Sequence, residues 1–170
     1  MPLDVSMAER AASLARESVR DPADVAGLIA HILERYHEEH RRDFPRAIQL
    51  ARKVEQVHAD RPESPRGLAD LLALIADDLE EHQQKEEAVL FPMMLAGGGP
   101  MIGFPIARML AEHEEVFAQL ERLAVLTHDF TPPEEACGTW RALYQACRKI
   151  DADLREHMRI EGDELFPKFS

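Results

Sequence analysis

One eleven-residue pattern occurs twice in this chain and limits its fold more than any other feature. Residues 82–92 read HQQKEEAVLFP and residues 157–167 read HMRIEGDELFP, so both fit H-x-x-x-E-x-x-x-L-F-P. Positions i and i+4 share one face of an α-helix, and each copy therefore predicts a helix that directs an imidazole and a carboxylate to the same point. Two such helices facing each other are the elements from which helical bundles build carboxylate-bridged two-metal centres.

A further histidine precedes each copy at nearly the same distance. His37 lies 45 residues before His82, and His113 lies 44 residues before His157. A single His-x-x-x-Glu pair is most often a surface feature, so the prediction depends on the repeat of the whole pattern. We expect the two glutamates to bridge two metal ions and the four histidines to be terminal ligands, without an assignment of each histidine to one ion. The predicted metal ligands are His37, His82, Glu86, His113, His157 and Glu161.

Histidine nitrogens together with bridging carboxylates suit iron or manganese. Zinc also binds such groups, but a structural zinc site more usually includes thiolates. Six-coordinate metal ions held by these six side chains would keep open positions for water, O₂ or NO.

Several other polar side chains have less specific patterns. His40 lies one turn from His37 and is either an outer partner or a substitute ligand. Asp78 and Glu112 either orient ligands, line a polar route, or are simply solvated carboxylates. The remaining histidines are expected at the C-terminus of the first helix (His58) and on the surface (His31 and His128).

Proline, glycine and capping residues predict four long amphipathic helices. The first is expected from Asp21-Pro22 to about Val57, with a bend at Pro45, and the second from Ser64-Pro65 to Leu90–Pro92. The third is expected from Phe104 to Val125, after a turn over AGGGPMIG at 96–103. The fourth is expected from a capping box at Thr131–Glu134 to Phe166. The Leu-Phe-Pro tails are expected to close the end of the bundle, with the prolines stopping the helices. The fold class is therefore all-α, an up-and-down four-helix bundle over residues 22–170, with residues 1–21 as a short helix or arm.

Helix lengths test whether the six residues can meet. Folding the second and third helices about residue 99 places Glu86 level with His113, and folding the first and second about residues 59–60 places His37 level with His82. A turn centred near Thr131 leaves His157 about 12 Å from the level of His113 at 1.5 Å per residue. A longer loop, with the fourth helix beginning nearer Thr139, would correct this.

Composition narrows the functional classes. The formal net charge is −12 and no Lys/Arg run is present, which argues against nucleic-acid or anionic-membrane partners. No apolar stretch reaches membrane-spanning length and the N-terminus has no apolar signal core. The two cysteines, Cys137 and Cys147, form no C-x-x-C motif and are expected to be buried small hydrophobes in a cytoplasmic protein.

From about residue 23 to the C-terminus, the chain resembles hemerythrin-like (HHE) domains, in which a four-helix bundle holds a non-haem di-iron centre. The segments RYHEEHRR (35–42), ARKVEQVHAD (51–60), PRGLADLL (65–72) and TPPEEACGTW (131–140) are similar to bacterial di-iron proteins associated with iron–sulfur cluster repair. The resemblance implies two iron ions as the cofactor and a role under nitrosative or oxidative stress. It also implies NO or O₂ as the small ligand, and an iron–sulfur protein or electron donor as a partner.

Two departures from the family pattern affect the expected function. Phe117 stands where oxygen-carrying hemerythrins have a second third-helix histidine, which disfavours simple O₂ carriage. The cysteine-containing N-terminal module of the fuller repair proteins is not found; if iron delivery or partner docking depends on that module, the chain is expected to do only part of the family's work, binding or reducing NO or releasing iron without direct cluster repair. The alternatives are a non-enzymatic O₂ or NO sensor or carrier, and a plain structural bundle. NO reduction at the di-iron centre is the enzymatic activity that the resemblance leaves open.

Overall fold

The computed structural model describes residues 6–11 and 24–169, which contain four long helical segments and no β-strand. The first segment comprises α1 (Val25–Ile32), a π-helical turn (Leu33–His37) and α2 (Glu38–Val57). The second comprises α3 (Leu68–Lys85), a π-helical turn (Glu86–Leu90) and α4 (Phe91–Leu95). The third is α5 (Gly103–Leu126), and the fourth comprises α6 (Gly138–Arg159), a π-helical turn (Ile160–Leu165) and a 3₁₀ turn (Phe166–Phe169).

These segments pack as the predicted four-helix bundle. α2 contacts α3 and α6, α3 contacts α5, and α5 contacts α6, so each segment lies beside the two that neighbour it around the bundle. The glycine-rich turn between α4 and α5 is confirmed, with positive φ angles at Gly97, Gly98 and Gly99. Within the described ranges, no helix is long and apolar enough to cross a membrane.

The N-terminal region is only partly described. Residues 7–11 are helical, and Ser6 and Glu9 cap this turn reciprocally, with the Glu9 N–H donating to Ser6 Oγ at 3.2 Å and the Ser6 N–H donating to Glu9 Oε2 at 2.9 Å. The proposed boundary between residues 21 and 22 lies outside the described residues, so that division stays a prediction. α1 begins later than the expected Asp21-Pro22 start, because Asp24 is its N-cap and accepts a hydrogen bond from the Ala26 N–H.

The π-helical turns correct the prediction that proline stops the helices. In each copy a π-helical turn ends at the leucine of the Leu-Phe-Pro tail, and after the first tail the helix continues through Pro92 to Leu95. Proline lacks an N–H and its ring clashes with the preceding turn in a regular helix. The widened turn precedes the proline in both copies, so the chain remains helical past each one.

Two helix starts also differ from the expected ones. α3 begins at Leu68 rather than at Ser64-Pro65, because Gly67 takes a left-handed conformation with φ 87°. α6 begins at Gly138 rather than at the Thr131–Glu134 capping box, since residues 128–130 all have positive φ. The longer-loop alternative, with a start near Thr139, is therefore the correct one.

The bundle has two apolar clusters, one at each end. The larger is built around the buried aromatic pair Trp140 and Tyr144. The smaller contains Tyr36 and the repeated Leu-Phe pairs Leu90, Phe91, Leu165 and Phe166. The tails therefore close one end of the bundle, as expected.

A matched pair of glycine substitutions tests the α3 start. Gly67→Ala is expected to lower the free energy of unfolding by about 1 kcal/mol, because a Cβ finds open space there but the left-handed backbone is strained for alanine. Gly138→Ala, also unobstructed but in a helical first turn, is expected to raise it by about 0.5 kcal/mol. Urea unfolding of both variants measures the difference, and equal shifts would contradict this account.

Candidate metal centre

The six predicted ligands lie together between the two apolar clusters. His37 ends the first π-helical turn, Glu86 begins the second, and Glu161 is the second residue of the third. The other three lie on regular helices: His82 on α3, His113 on α5 and His157 on α6. Four of the six side chains have no exposed surface, and His82 and His113 are 2% and 3% exposed. A π-helical turn inside an α-helix commonly marks a functional site, because the extra residue re-aims the side chains around it.

Each glutamate contacts one histidine through each of its oxygens. Glu86 Oε2 lies 3.2 Å from His37 Nε2, and Glu86 Oε1 lies 3.2 Å from His82 Nε2. Glu161 Oε2 lies 2.9 Å from His113 Nε2, and its Oε1 lies 2.7 Å from His157 Nε2. Each of the two carboxylates thus contacts two of the four imidazoles.

The histidines form two pairs, a point that the sequence left open. The rings of His37 and His157 have centroids 5.0 Å apart, and those of His82 and His113 have centroids 5.1 Å apart. Each pair, taken with Glu86 and Glu161, gives a group whose donor atoms all lie within 4.8 Å of one another. Both groups share both carboxylates, which is the arrangement a bridged two-metal site requires.

Most of these donor atoms have no hydrogen-bond partner among the described residues. They are His37 Nε2, His82 Nε2, His113 Nε2, both oxygens of Glu86 and Glu161 Oε2. Buried polar atoms in proteins almost always have a hydrogen-bond partner. Six unpartnered atoms that face one another therefore need an explanation. Nitrogen and carboxylate donors turned towards a common point fit metal ions of the iron and manganese type.

The two carboxylates differ electrostatically. Burial and repulsion from the Glu161 carboxylate raise the pKa of Glu86 well above its ordinary value. Burial also tends to raise the pKa of Glu161, but its contacts with His157 and His113 outweigh burial and hold that pKa well below the ordinary value. Two buried carboxylates this close together are the kind of pair that cations between them would stabilise.

Acidic side chains orient one histidine of each pair. His37 Nδ1 lies 2.8 Å from Glu87 Oε1, which also accepts from Arg41 Nη1 at 2.9 Å. His82 Nδ1 lies 2.8 Å from Glu112 Oε2. Such contacts fix the ring orientation and raise the basicity of the other ring nitrogen. Glu87 is a partner that sequence reasoning missed, and its only signal was its position beside Glu86.

Glu112 is held as a carboxylate. Its Oε1 accepts hydrogen bonds from Lys85 Nζ and Arg108 Nε, each at 2.8 Å. Burial favours the protonated acid, but the hydrogen bonds from Lys85, His82 and Arg108 prevail and lower the pKa of Glu112 to about 2. The orienting role considered for Glu112 is therefore present, and it acts on His82 rather than on the adjacent His113.

His40 is an outer partner and lies in neither group of donor atoms. Its Nε2 lies 3.2 Å from His157 Nδ1, and its side chain is buried. Burial, with repulsion from His157 and His37, lowers the pKa of His40 to about 2, so the ring is neutral. Tyr36, also missed from the sequence, stacks on His157 with centroids 5.4 Å apart.

The remaining polar residues lie outside the two groups. Asp78 accepts a hydrogen bond from Gln119 Nε2 at 2.7 Å and lines a polar surface cleft together with His82 and Glu112. His58 follows α2 as its C-cap, as expected, and its Nε2 lies 3.3 Å from Cys137 Sγ. Both His31 and His128 are exposed, as expected.

The prediction of two buried cysteines is half right. Cys147 is fully buried, and burial raises the pKa of its thiol to about 12. Cys137 is exposed, because α6 begins after it and leaves it at the end of the loop.

A second surface cleft runs between α5 and the fourth segment and reaches His113. Its lining includes Leu110, Phe117, Met158 and Gly162. Phe117 therefore presents an apolar ring beside the centre and offers no additional nitrogen ligand. The cleft therefore brings open space beside His113.

Comparisons with known proteins find a matching domain family and similar proteins. Residues 28–169 match the model of the hemerythrin HHE cation-binding domain. The chain is 44% identical over 171 residues to the iron-sulfur cluster repair protein YtfE of Dickeya chrysanthemi, an alignment that covers 98% of this chain and 77% of that protein. It is 44% identical to the protein of the same description from Cronobacter sakazakii (99% and 77% covered), and 46% identical to that from Yersinia pseudotuberculosis serotype O:1b (85% and 65% covered).

Proposed function

The chain belongs to the hemerythrin HHE cation-binding domain family, and we propose that it is a non-haem di-iron protein of the nitrosative and oxidative stress response. The observation that carries this proposal is the convergence of six buried donor residues into two groups that share both carboxylates. The repeat, the unpartnered donor atoms and the family match all support the same site.

The proposed ligand assignment follows the two groups. His37 and His157 would hold one iron ion, and His82 and His113 would hold the other. Glu86 and Glu161 would serve both ions, in keeping with the contacts of each carboxylate with one histidine of each pair. Glu87 and Glu112 keep the Nδ1 protons of His37 and His82 in place, so that each Nε2 lone pair is free for a metal.

When bound, two ferrous ions supply open coordination positions and two electrons, the number that coupling two NO molecules to N₂O and water requires together with two protons. The protein's own residues place an apolar ring against one histidine of each pair. The rings of Phe91 and Phe166 stack on His37 and His113, with centroids 5.8 Å apart in each case. Apolar rings at these positions would favour small uncharged ligands over charged ones.

A role in iron–sulfur cluster repair rests on the relatives. The similar proteins from Dickeya and Cronobacter are described as iron-sulfur cluster repair proteins, and they align with nearly all of this chain. We extend that role to this chain as a supplier of iron to an iron–sulfur protein under stress.

The first test is metal content together with the response to NO. Anaerobically purified protein from iron-replete cells is expected to contain about two irons per chain. Its optical spectrum should change when NO is added, and N₂O should then appear in the headspace. A lasting spectral change without N₂O would favour the alternative of a sensor or carrier. Fully folded protein without bound iron would contradict the proposal.

A further inference from the structure

A thiol and an imidazole meet beside the larger apolar cluster, where the loop after α2 lies against the loop before α6. His58 Nε2 is 3.3 Å from Cys137 Sγ. The thiol is exposed and the imidazole is half-buried. Trp140 packs against the imidazole, with ring centroids 4.9 Å apart. None of the three is among the six predicted metal ligands, so the arrangement needs an explanation of its own. We call His58 and Cys137 the thiol pair.

The geometry of the thiol pair is that of a nucleophile with its base. The base lies within hydrogen-bonding reach of the nucleophile, and a third group, the indole of Trp140, fixes the plane of the base. This combination is the usual sign of an activated side chain, because a thiol attacks as the thiolate and needs an acceptor for its proton. His58 Nε2 is placed to be that acceptor.

Both members of the thiol pair lie at helix ends that suit the charges after proton transfer. Cys137 is the N-cap of α6, and its side chain makes no capping hydrogen bond. His58 is the C-cap of α2, which is 20 residues long. A helix N-terminus favours a negative charge and a C-terminus favours a positive one. Moving the thiol proton to the imidazole would therefore leave each charge at the helix end that stabilises it.

Hydrogen bonds hold the two loops of the thiol pair in place. Arg66 Nη2 donates to two backbone carbonyls of the loop after α2, at 3.0 and 3.3 Å. Arg141 donates from Nε and Nη2 to backbone carbonyls of the loop before α6, at 3.2 and 2.7 Å. An ion pair of 3.3 Å between Arg61 and Glu135 joins one loop to the other. The thiol and the imidazole are therefore preorganised by their loops.

We propose that Cys137 is a site of reversible modification by low-molecular-weight disulfides, with His58 as the base that accepts the thiol proton. The proposal goes beyond the proposed function and uses no residue of the candidate metal centre. Cys137 Sγ attacks one sulfur of the disulfide, so that a new S–S bond forms while the original one breaks. The other half of the disulfide leaves as a thiolate and takes up the proton held by His58. Cys137 is oxidised and the leaving sulfur is reduced, so no further oxidant is required.

The second cysteine of the chain is an internal control. Cys147 is fully buried, and burial raises the pKa of its thiol to about 12. Because the thiolate is the form that attacks a disulfide, the folded protein should be modified at Cys137 and remain unmodified at Cys147.

Oxidised glutathione is the probe for a test that needs no variant. The intact chain is incubated with it, the reaction is stopped with acid, and mass spectrometry of proteolytic peptides follows the mixed disulfide at each cysteine. A synthetic peptide of residues 133–141 contains Cys137 and no histidine, so it gives the rate of the same thiol without the imidazole. A positioned base typically contributes roughly 10²–10⁴-fold, so Cys137 of the protein should react at least about tenfold faster than the peptide. An equal or slower rate, or an adduct mainly on Cys147, would overturn the proposal.

Two histidine substitutions give a matched comparison. His58→Asn removes the base and is expected to lower the rate at Cys137 to about that of the peptide. His128 is exposed and has φ 49°, a left-handed conformation that asparagine tolerates. His128→Asn should therefore keep the wild-type rate. A His58→Asn protein that reacts as fast as the wild type would show that the imidazole does not activate the thiol, and the proposal would be wrong.

Failure of the proposed function would look different. A chain that binds two irons, but whose Cys137 reacts no faster than the peptide, would reject only the activated thiol. A chain that binds no iron, but whose Cys137 reacts rapidly, would reject only the proposed di-iron function.

Discussion

Glu86→Ala is expected to weaken metal binding at both positions, so that the purified protein contains much less than two ions per chain. Glu86 is fully buried, and its two oxygens face His37 and His82, which belong to different groups. Loss of an outer partner alone costs roughly 10- to 100-fold in metal affinity. Loss of a shared ligand should therefore cost about 100-fold or more at each position, measured by elemental analysis and competition with a chelator.

The control for that substitution lies on the same helical segment. Glu81 has a side chain 71% exposed and pairs with Lys85, so Glu81→Ala should retain both ions. His37→Ala provides a second comparison, because His37 belongs to one group only and its loss should affect mainly one ion. If Glu86→Ala bound two ions as tightly as the wild type, Glu86 would not be a bridging ligand.

That the six predicted ligands lie together could be predicted from the sequence, because only the helical period and the number of residues between them were needed. Helical spacing places His82 with Glu86 and His157 with Glu161, and hairpin symmetry relates His37 to His113. The one failure of alignment, at His157, arose from the expected start of the fourth helix. His113 lies 13 residues before the end of α5, and His157 lies 19 residues after the start of α6. The two helices therefore differ by six residues, or about 9 Å along the bundle axis, and the loop between them makes up this offset.

Local conformations that override residue preference could not be predicted in the same way. Thr131–Glu134 has the spacing of a capping box, yet three left-handed residues immediately before it direct the chain away from a helix. The π-helical turns at Glu86 and at Ile160–Leu165 are also invisible to a pattern with a fixed period. They change which residues face the core after the predicted ligands, and so let both Leu-Phe pairs pack into the apolar cluster beside the candidate site.

The side chains that hydrogen-bond to the predicted ligands were predicted least well, because these contacts depend on the distances between side chains on neighbouring helices. Glu112 was recognised as a candidate through its place beside His113, yet it contacts His82 from the neighbouring helix. Glu87 contacts His37 across 50 residues of sequence, and no period relates the two. Residues of this kind can be identified only when the directions of the ring nitrogens of the predicted ligands are known.

Removing the metal is expected to lower the melting temperature more than any single substitution at the surface. A ligand that binds only the folded state, present at 1,000 times its dissociation constant, stabilises that state by about 4 kcal/mol. Two such ions would contribute about 8 kcal/mol. For a chain of 170 residues, 1 kcal/mol corresponds to roughly 2–4 °C, so chelation should lower the melting temperature by about 15–30 °C.

Differential scanning calorimetry with and without a chelator measures this shift, and a ligand-free variant separates metal loss from other effects of the chelator. Glu86→Ala combined with Glu161→Ala removes both shared carboxylates, so its melting temperature should not respond to the chelator. If chelation removed both ions and left the melting temperature of the wild type unchanged, the six residues would hold metal without depending on it for stability, and the bundle would be maintained by its two apolar clusters alone.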